Sequence, residues 1–262
     1  MSKIMSLILT AILSLSLVVP AFASCDSVPS SSNQGIQASA TPGQTATKFS
    51  LGTSSVGEQY LLNETTGEKT IAAYTYDENG ELVKISLSEC KNIKESSPRP
   101  TIENTPTVQR HIAEDLILPQ AITYRYVEKS AYVENGTPVR VSSDMKGPGK
   151  ITTIQSTTVS CSFGGDVSLT NTIKKKIELG ASFSWNVSLS SEASNSYEFD
   201  PIPAGEIGYV QFTPYYDVSI GDLYQGHSES SLPDTYKGEV WGRSPQKLPS
   251  GLACGLYELV IK

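Results

Sequence analysis

The sequence predicts an all-β protein: an elongated antiparallel sheet or sandwich that carries one long, Ser/Thr-rich amphipathic hairpin. Short runs rich in Val, Ile, Thr and Tyr recur along the chain, and Asn-Gly and Pro-Gly turn signals separate them. Residues 159–199 also alternate between apolar and polar side chains without a change of phase. One short helix is expected at His111–Leu118, where Pro119 ends the apolar run.

The first folded part is expected to be a small β-meander over residues 48–97. Its β-type runs are separated by turns at residues 63–67 and 77–80. The second turn contains Asn79-Gly80, a strong hairpin signal because both residues accept a positive φ. The rest of the chain, residues 98–262, is expected to form the elongated β domain.

The alternating stretch is the most informative part of the sequence. No even position from Ser160 to Asp200 is apolar, whereas most odd positions are. Side chains on a strand alternate between its two faces, so this pattern predicts a β segment with one apolar and one hydroxyl-rich face. The residues expected on the apolar, membrane-facing side are Val167, Leu169, Ile173, Ile177, Leu179, Phe183, Trp185, Val187 and Leu189.

The constant phase also restricts the turn of this hairpin, which is expected to span about residues 157–200. A three-residue loop keeps the apolar face on one side, and a two-residue loop does not. Lys174-Lys175-Lys176 is therefore the predicted tip, with Ile173 and Ile177 at its base. A turn at residues 164–166 satisfies the same rule and stays open as an alternative.

The length of the second predicted strand is compatible with a membrane. Residues 177–189 would extend about 43 Å at ~3.3 Å per residue. Tilted like a barrel strand they would rise roughly 33 Å, against an apolar band of ~25 Å in outer-membrane barrels. The same alternation also fits a water-soluble sheet with one face on a core. A wet face made of Ser and Thr, instead of Lys and Glu, favours the lining of a lumen.

The N-terminus has the features of an export signal, which predicts a secreted protein. Residues 4–19 are apolar or small, Pro20 ends the run, and Ala21-Phe22-Ala23 is a typical cleavage site, so residues 1–23 are expected to be removed. Residues 24–47 contain few large apolar groups and are expected to be a disordered linker or propeptide. The sequence around Cys25 also resembles a lipobox, which leaves lipid anchoring at Cys25 as an alternative.

An exported chain with an even number of cysteines suggests disulfides. Besides Cys25, the candidates are Cys90, Cys161 and Cys254, and their pairing stays open.

Charge and composition argue against several other classes of function. The net charge is −7 and no basic run exceeds three residues, so nucleic acid is not an expected partner. Only two histidines are present, and no metal-binding or phosphate-loop spacing occurs. Gly226-His227-Ser228-Glu229-Ser230 differs from the nucleophile elbow at its fifth position. We therefore expect no enzyme activity, no catalytic residue, no cofactor and no metal.

Residues 120–225 resemble the aerolysin-like pore-forming proteins, in particular the epsilon-toxin and mosquitocidal-toxin branch. The resemblance lies in the order of Gly147-Pro148-Gly149-Lys150-Ile151, the Ser/Thr-rich alternating stretch, Ile202-Pro203-Ala204-Gly205-Glu206 and Tyr209-Val210-Gln211-Phe212. It implies a hairpin that lies against a sheet of long strands and that, after oligomerisation, unfolds into a transmembrane β-barrel.

The expected function is a secreted, membrane-active toxin or antimicrobial of the β-barrel pore-forming type. Its expected partners are a target membrane and further copies of the same chain. One alternative is a secreted β-sandwich binding or surface protein without pore activity. The other is a precursor whose processed fragment is a bacteriocin-like antimicrobial peptide.

Overall fold

The computed structural model describes residues 47–77, 81–96, 99–100, 122–191, 198–227 and 233–262. The predicted signal peptide, nearly all of the predicted linker, Cys25 and the predicted helix at 111–118 lie outside these residues. The all-β prediction is confirmed, because twelve strands form one antiparallel sheet and only two helices occur in the described part.

The predicted meander region forms four strands and a helix. The strands are β1 (Phe49–Thr53), β2 (Gln59–Asn63), β3 (Lys69–Tyr76) and β4 (Leu82–Ile85), and α1 covers Leu87–Glu95. Ser86 caps α1, since its side chain accepts a hydrogen bond from the Glu89 N–H at 3.1 Å. β3 also pairs with the last strand of the chain, so the meander continues the main sheet.

One very long strand organises the rest of the molecule. The first strands are β5 (Arg99–Pro100), β6 (Ile122–Asn135), β7 (Val139–Arg140) and β8 (Met145–Lys146). The alternating stretch then forms the short strands β9 (Thr158–Ser160), β10 (Ser162–Gly165) and β11 (Ser188–Ser190). The last strands are β12 (Ile207–His227), β13 (Thr235–Pro245) and β14 (Gly255–Ile261). The 21 residues of β12 would extend roughly 69 Å at ~3.3 Å per residue.

Strand β12 changes its partners near its middle. Before Tyr215 it pairs with β14 on one side and with β7 and β8 on the other. From Tyr215 onward it pairs with β6 and β13. We call these two parts the β14 half and the β6 half of the sheet.

The β14 half carries most of the buried core. Phe212 and Tyr257 pack with ring centroids 4.6 Å apart, and Phe199 joins them. Beneath α1, the fully buried Glu258 carboxylate accepts hydrogen bonds from Lys94 Nζ at 2.6 Å and Thr70 Oγ1 at 3.0 Å. This part of the sheet is therefore fixed both by apolar packing and by a buried ion pair.

The prediction of one long hairpin over residues 157–200 is wrong for this structure. The described part of this stretch contains β9 (Thr158–Ser160), β10 (Ser162–Gly165), α2 (Asn171–Gly180) and β11 (Ser188–Ser190). Lys174, Lys175 and Lys176 lie inside α2 instead of at a turn, and β10 ends within the alternative turn at 164–166.

The error has a simple physical reason. Ile173 and Ile177 are four residues apart, a spacing that keeps two side chains on one face both of a strand and of a helix. Thr170 favours the helix, because its Oγ1 accepts a hydrogen bond from the Ile173 N–H at 3.3 Å and caps α2.

The disulfide prediction also differs from the structure. None of Cys90, Cys161 and Cys254 forms a disulfide within the described part of the chain. Cys90 is buried on α1 with its Sγ 3.9 Å from Glu258 Oε1, and burial raises the pKa of its thiol to about 12. Its side chain thus takes part in the polar cluster under α1.

Candidate functional site

The candidate site is the stretch of residues 157–191, which we call the docked segment. Its middle lies against the β6 half of the sheet, where α2 contacts β6 and β13 and β10 pairs with β13. Near its ends, Val159 and Leu189 pack on the core of the β14 half. Its two ends are held together because β9 and β11 pair antiparallel, with Ser160 opposite Ser188. The docked segment is therefore one continuous insertion that begins and ends at the same place on the sheet.

Helix α2 is held by a small apolar cluster. Ile173 and Ile177 are buried against Tyr126, Leu223 and Val240 of the three long strands. The helix has only ten residues, and helices of that length are marginal in water without tertiary packing. These two isoleucines are thus its main attachment.

An aromatic stack extends this cluster. The Trp185 ring lies 5.1 Å from Phe163 and 5.8 Å from Phe183, in both cases nearly parallel. All three side chains are only half-buried. The stack joins β10 to the chain that follows α2.

Glycines allow close approach where the docked segment meets the sheet. A Cβ on Gly221 of β12 would lie 2.6 Å from the Tyr126 ring, and one on Gly180 would lie 2.7 Å from the same ring. A Cβ on Gly242 of β13 would approach Trp185, Ile177 and Phe163. Gly180 of α2 thus lets the helix approach Tyr126, and Gly242 of β13 lets Trp185 and Phe163 approach the sheet.

Polar groups fix the chain that follows α2. The Glu128 carboxylate of β6 accepts hydrogen bonds from the Ser182 N–H at 3.2 Å and from Ser219 Oγ. Ser219 Oγ also lies 2.7 Å from the Tyr126 hydroxyl, whose pKa is raised by burial. The Asn186 N–H donates to Ser244 Oγ at 2.7 Å.

A mostly buried ion pair lies beside β10. Arg243 donates from Nη1 to Glu134 Oε1 at 3.0 Å and from Nε to Ser162 Oγ at 2.6 Å. Its guanidinium also lies over the Tyr216 ring, 4.6 Å from the centroid. This side chain therefore joins β6, β12 and the docked segment.

The residues predicted to share one apolar face have different surroundings in this structure. Ile173 and Ile177 are buried, and Leu179 is 60% exposed. The other six are half-buried. Val167, Leu169 and Trp185 pack on the α2 cluster, and Leu189 packs on the core of the β14 half. The remaining two are Phe183 and Val187. Sequence reasoning missed Glu128, Ser219 and Ser244, since single polar residues in strands have no local signal of such a role.

Two further findings concern the described ranges as a whole. They contain no group of three or more His, Cys, Asp or Glu side chains placed to hold a metal ion. No helix among them has the length and apolar character needed to cross a membrane.

Comparisons with known proteins gave no match to a family model, to a curated protein or to a solved structure. The interpretation of the docked segment therefore depends on its own residues and geometry.

Proposed function

We propose that this chain is a secreted, membrane-active protein whose docked segment leaves the sheet and, once several copies have assembled, enters a lipid bilayer as β-strands. The observation that carries the proposal is a mismatch between the period of the sequence and the secondary structure that the same residues form. The sequence alternates with a period of two from residue 159 to 199, yet β9, β10 and β11 together contain only ten residues, and α2 lies between β10 and β11.

Burial in the described fold explains the alternation only in part: Val159, Ile173, Ile177 and Ala181 are buried at odd positions, but other apolar odd positions are not. Leu179 is mostly exposed, and Phe183 and Val187 are only half-buried, although all three are apolar. A barrel strand in a bilayer requires this pattern, because every second side chain faces lipid. The sequence of the docked segment thus suits an inserted strand better than it suits its place on the sheet.

The polar half of the pattern supports the same proposal. Ser182, Ser184 and Ser188 are exposed and lie at even positions. In a transmembrane barrel these hydroxyls would face a water-filled lumen while the odd positions face lipid. Small hydroxyl side chains fit the inside of a narrow barrel without adding charge.

The attachment of the docked segment is weak compared with that of the main sheet. Its three strands contain three or four residues each, whereas β6, β12 and β13 contain 14, 21 and 11. Short strands and a ten-residue helix are typical of regions that open locally at low free energy. The long strands provide a frame that does not need to unfold when the segment leaves.

The test is a polarity-sensitive dye placed at single cysteines in a chain whose native cysteines have been replaced. Phe183→Cys and Val187→Cys represent the odd positions, and Ser184→Cys and Ser188→Cys the even positions. On liposomes the odd dyes should move to an apolar environment while the even dyes stay in water. Thr66→Cys, in the exposed turn between β2 and β3, is the matched control and should not respond.

Leakage of a dye trapped in the liposomes gives the functional readout. Lys in place of Phe183 should cost ~2–4 kcal/mol at the bilayer midplane and abolish leakage, whereas Lys in place of Ser184 should mainly change conductance. If the signal of neither dye set changes on liposomes, the protein is a secreted binding or surface protein instead. If a proteolytic fragment carries all the activity, the chain is the precursor of a bacteriocin-like peptide.

A further inference from the structure

Strand β10 covers part of the outer edge of β13. Residues Ser162–Gly165 pair with Val240–Arg243, and the next backbone N–H, of Asp166, donates to the Glu239 carbonyl at 2.9 Å. β13 is paired with β12 along its other edge. Along residues 239–243, the outer edge of β13 is therefore paired with the docked segment itself.

The composition of β10 makes it a weak partner for that edge. It is four residues long and ends in Gly164-Gly165. A side chain at Gly164 would collide with the Trp241 indole, and Gly165 has a φ of +150°. Glycine lowers the stability of a strand, because it adds no packing and loses more conformational freedom on folding than other residues.

On the opposite side of the same three strands, the outer edge of β6 is paired only in part within the described ranges. β6 pairs with β12 on one side, and β5 covers only Val133 and Tyr132 on the other. Within the described ranges, residues 122–131 have no strand partner on that outer side. Unpaired edges of this length are templates for pairing with another chain.

We propose that β10 is a removable cover, and that the edge of β13 uncovered when the docked segment leaves pairs with the outer edge of β6 in a second copy of this chain. The proposal rests on the proposed function, because it needs the segment to leave. It names the surface through which copies assemble.

The geometry of the sheet determines how the copies would be related. β6 and β13 are both antiparallel to β12, so they run in the same direction on opposite sides of it. A contact between β13 of one copy and β6 of the next joins two different surfaces. Contacts of this kind repeat head to tail and form a ring when the rotation closes. Release of one segment thus both frees the membrane-inserting residues and creates the assembly surface.

A pair of disulfide clamps tests whether release of the cover is needed for assembly. Gly164→Cys with Trp241→Cys joins β10 to β13, since these two positions are opposite each other. Ser160→Cys with Ser188→Cys is the matched control, because it joins β9 to β11 and leaves the edge of β13 untouched. Both are made in a chain without native cysteines, and the reduced form of each serves as its own reference.

The oxidised β10–β13 clamp should prevent oligomers on liposomes, measured by cross-linking and gel electrophoresis, and reduction should restore them. The oxidised β9–β11 clamp should form oligomers and release trapped dye as its reduced form does, because it joins the two ends of the segment to each other and not to the long strands. Oligomers of the oxidised β10–β13 clamp at the level of its reduced form would overturn the inference.

Cross-linking between copies identifies the two surfaces directly. Val127→Cys on β6 and Tyr236→Cys on β13 are both at exposed positions. With a short bis-maleimide on liposomes, a mixture of the two variants should give a dimer band, and either variant alone should not. Dye release without this mixed dimer would overturn the inference and leave the proposed function standing. The mixed dimer without dye release would support the inference and contradict the proposed function.

Discussion

Trp185 lies over Gly242 so closely that a Cβ on the glycine would be 2.7 Å from Cη2 of the indole. The same Cβ would lie 3.0 Å from Ile177 Cγ2 and 3.0 Å from Phe163 Cδ1. One position of β13 thus contacts three separate parts of the docked segment. A side chain added at this position would therefore collide with the docked segment.

Gly242→Val should therefore loosen the docked segment selectively. Overpacking of this kind costs on the order of 1–3 kcal/mol, and here part of the cost can be relieved by moving the segment away. We expect faster proteolysis within residues 157–191, with little change in the melting of the main sheet. Gly149→Ala is the control, since its Cβ would meet only the flexible Met145 side chain at 3.2 Å and Lys146 O at 3.5 Å. Equal proteolysis of the two variants would contradict this role of Gly242.

Two substitutions at Trp185 separate the contribution of its ring to stability from that of its indole N–H. The indole is half-buried, so Trp185→Ala should cost about 2 kcal/mol, less than the ~3–5 kcal/mol of a fully buried aromatic residue. Its Nε1 is buried and finds no hydrogen-bond partner among the described residues. Trp185→Phe removes that unsatisfied donor and keeps the stack, so it should cost under about 1 kcal/mol. Chemical denaturation of both variants measures the difference, and equal losses would show that the stack contributes little.

The all-β class was predictable because it depends on local patterns that survive in the fold. Strands β2, β3 and β4 lie where β-type runs and turn signals occur in residues 48–97, and the chain around Tyr209–Phe212 is part of β12. Helix α1 in the same region was not predicted. These strands pack on a core on at least one face, so their period of two matches their structure.

The conformation of the docked segment was not predictable from the same patterns. Ile173 and Ile177 fit both periods, and the choice was made by the Thr170 cap and by contacts with Tyr126 and Val240. Those contacts come from strands more than 40 residues away in sequence. Nor does the sequence indicate that Glu128 accepts a hydrogen bond from the Ser182 N–H, since that contact exists only once the segment is docked.

The Lys94–Glu258 ion pair should be important for the stability of the β14 half. Lys94 Nζ is 2.6 Å from a carboxylate that is fully buried, and the lysine side chain is itself only 10% exposed. Lys94→Met leaves that charge without its cation and should cost roughly 3–5 kcal/mol. Adding Glu258→Gln in the same chain should recover part of the loss, because the buried charge is then absent. Thermal melting of the two single variants and the double variant gives the coupling, and strictly additive losses would argue against a pair.

Glu178 on α2 should make docking of the segment depend on pH. Burial raises the pKa of its carboxyl, and Lys175 and Lys174 offset this only in part. A raised pKa means that the protonated form favours the docked state, so this contribution is present at low pH and is lost as pH rises through the raised pKa. Glu178→Gln should therefore stabilise docking at pH 7 by a few tenths of a kcal/mol, since solvent screens this half-buried group, and should remove that part of the pH dependence. Trp185 fluorescence in a Trp241→Phe background, followed through urea unfolding from pH 4 to 8, measures it. Glu198→Gln is the contrasting variant, because Lys150 lowers the pKa of Glu198 and its contribution is lost as pH falls. A Glu178→Gln variant with the pH profile of the parent chain would show that Glu178 does not control docking.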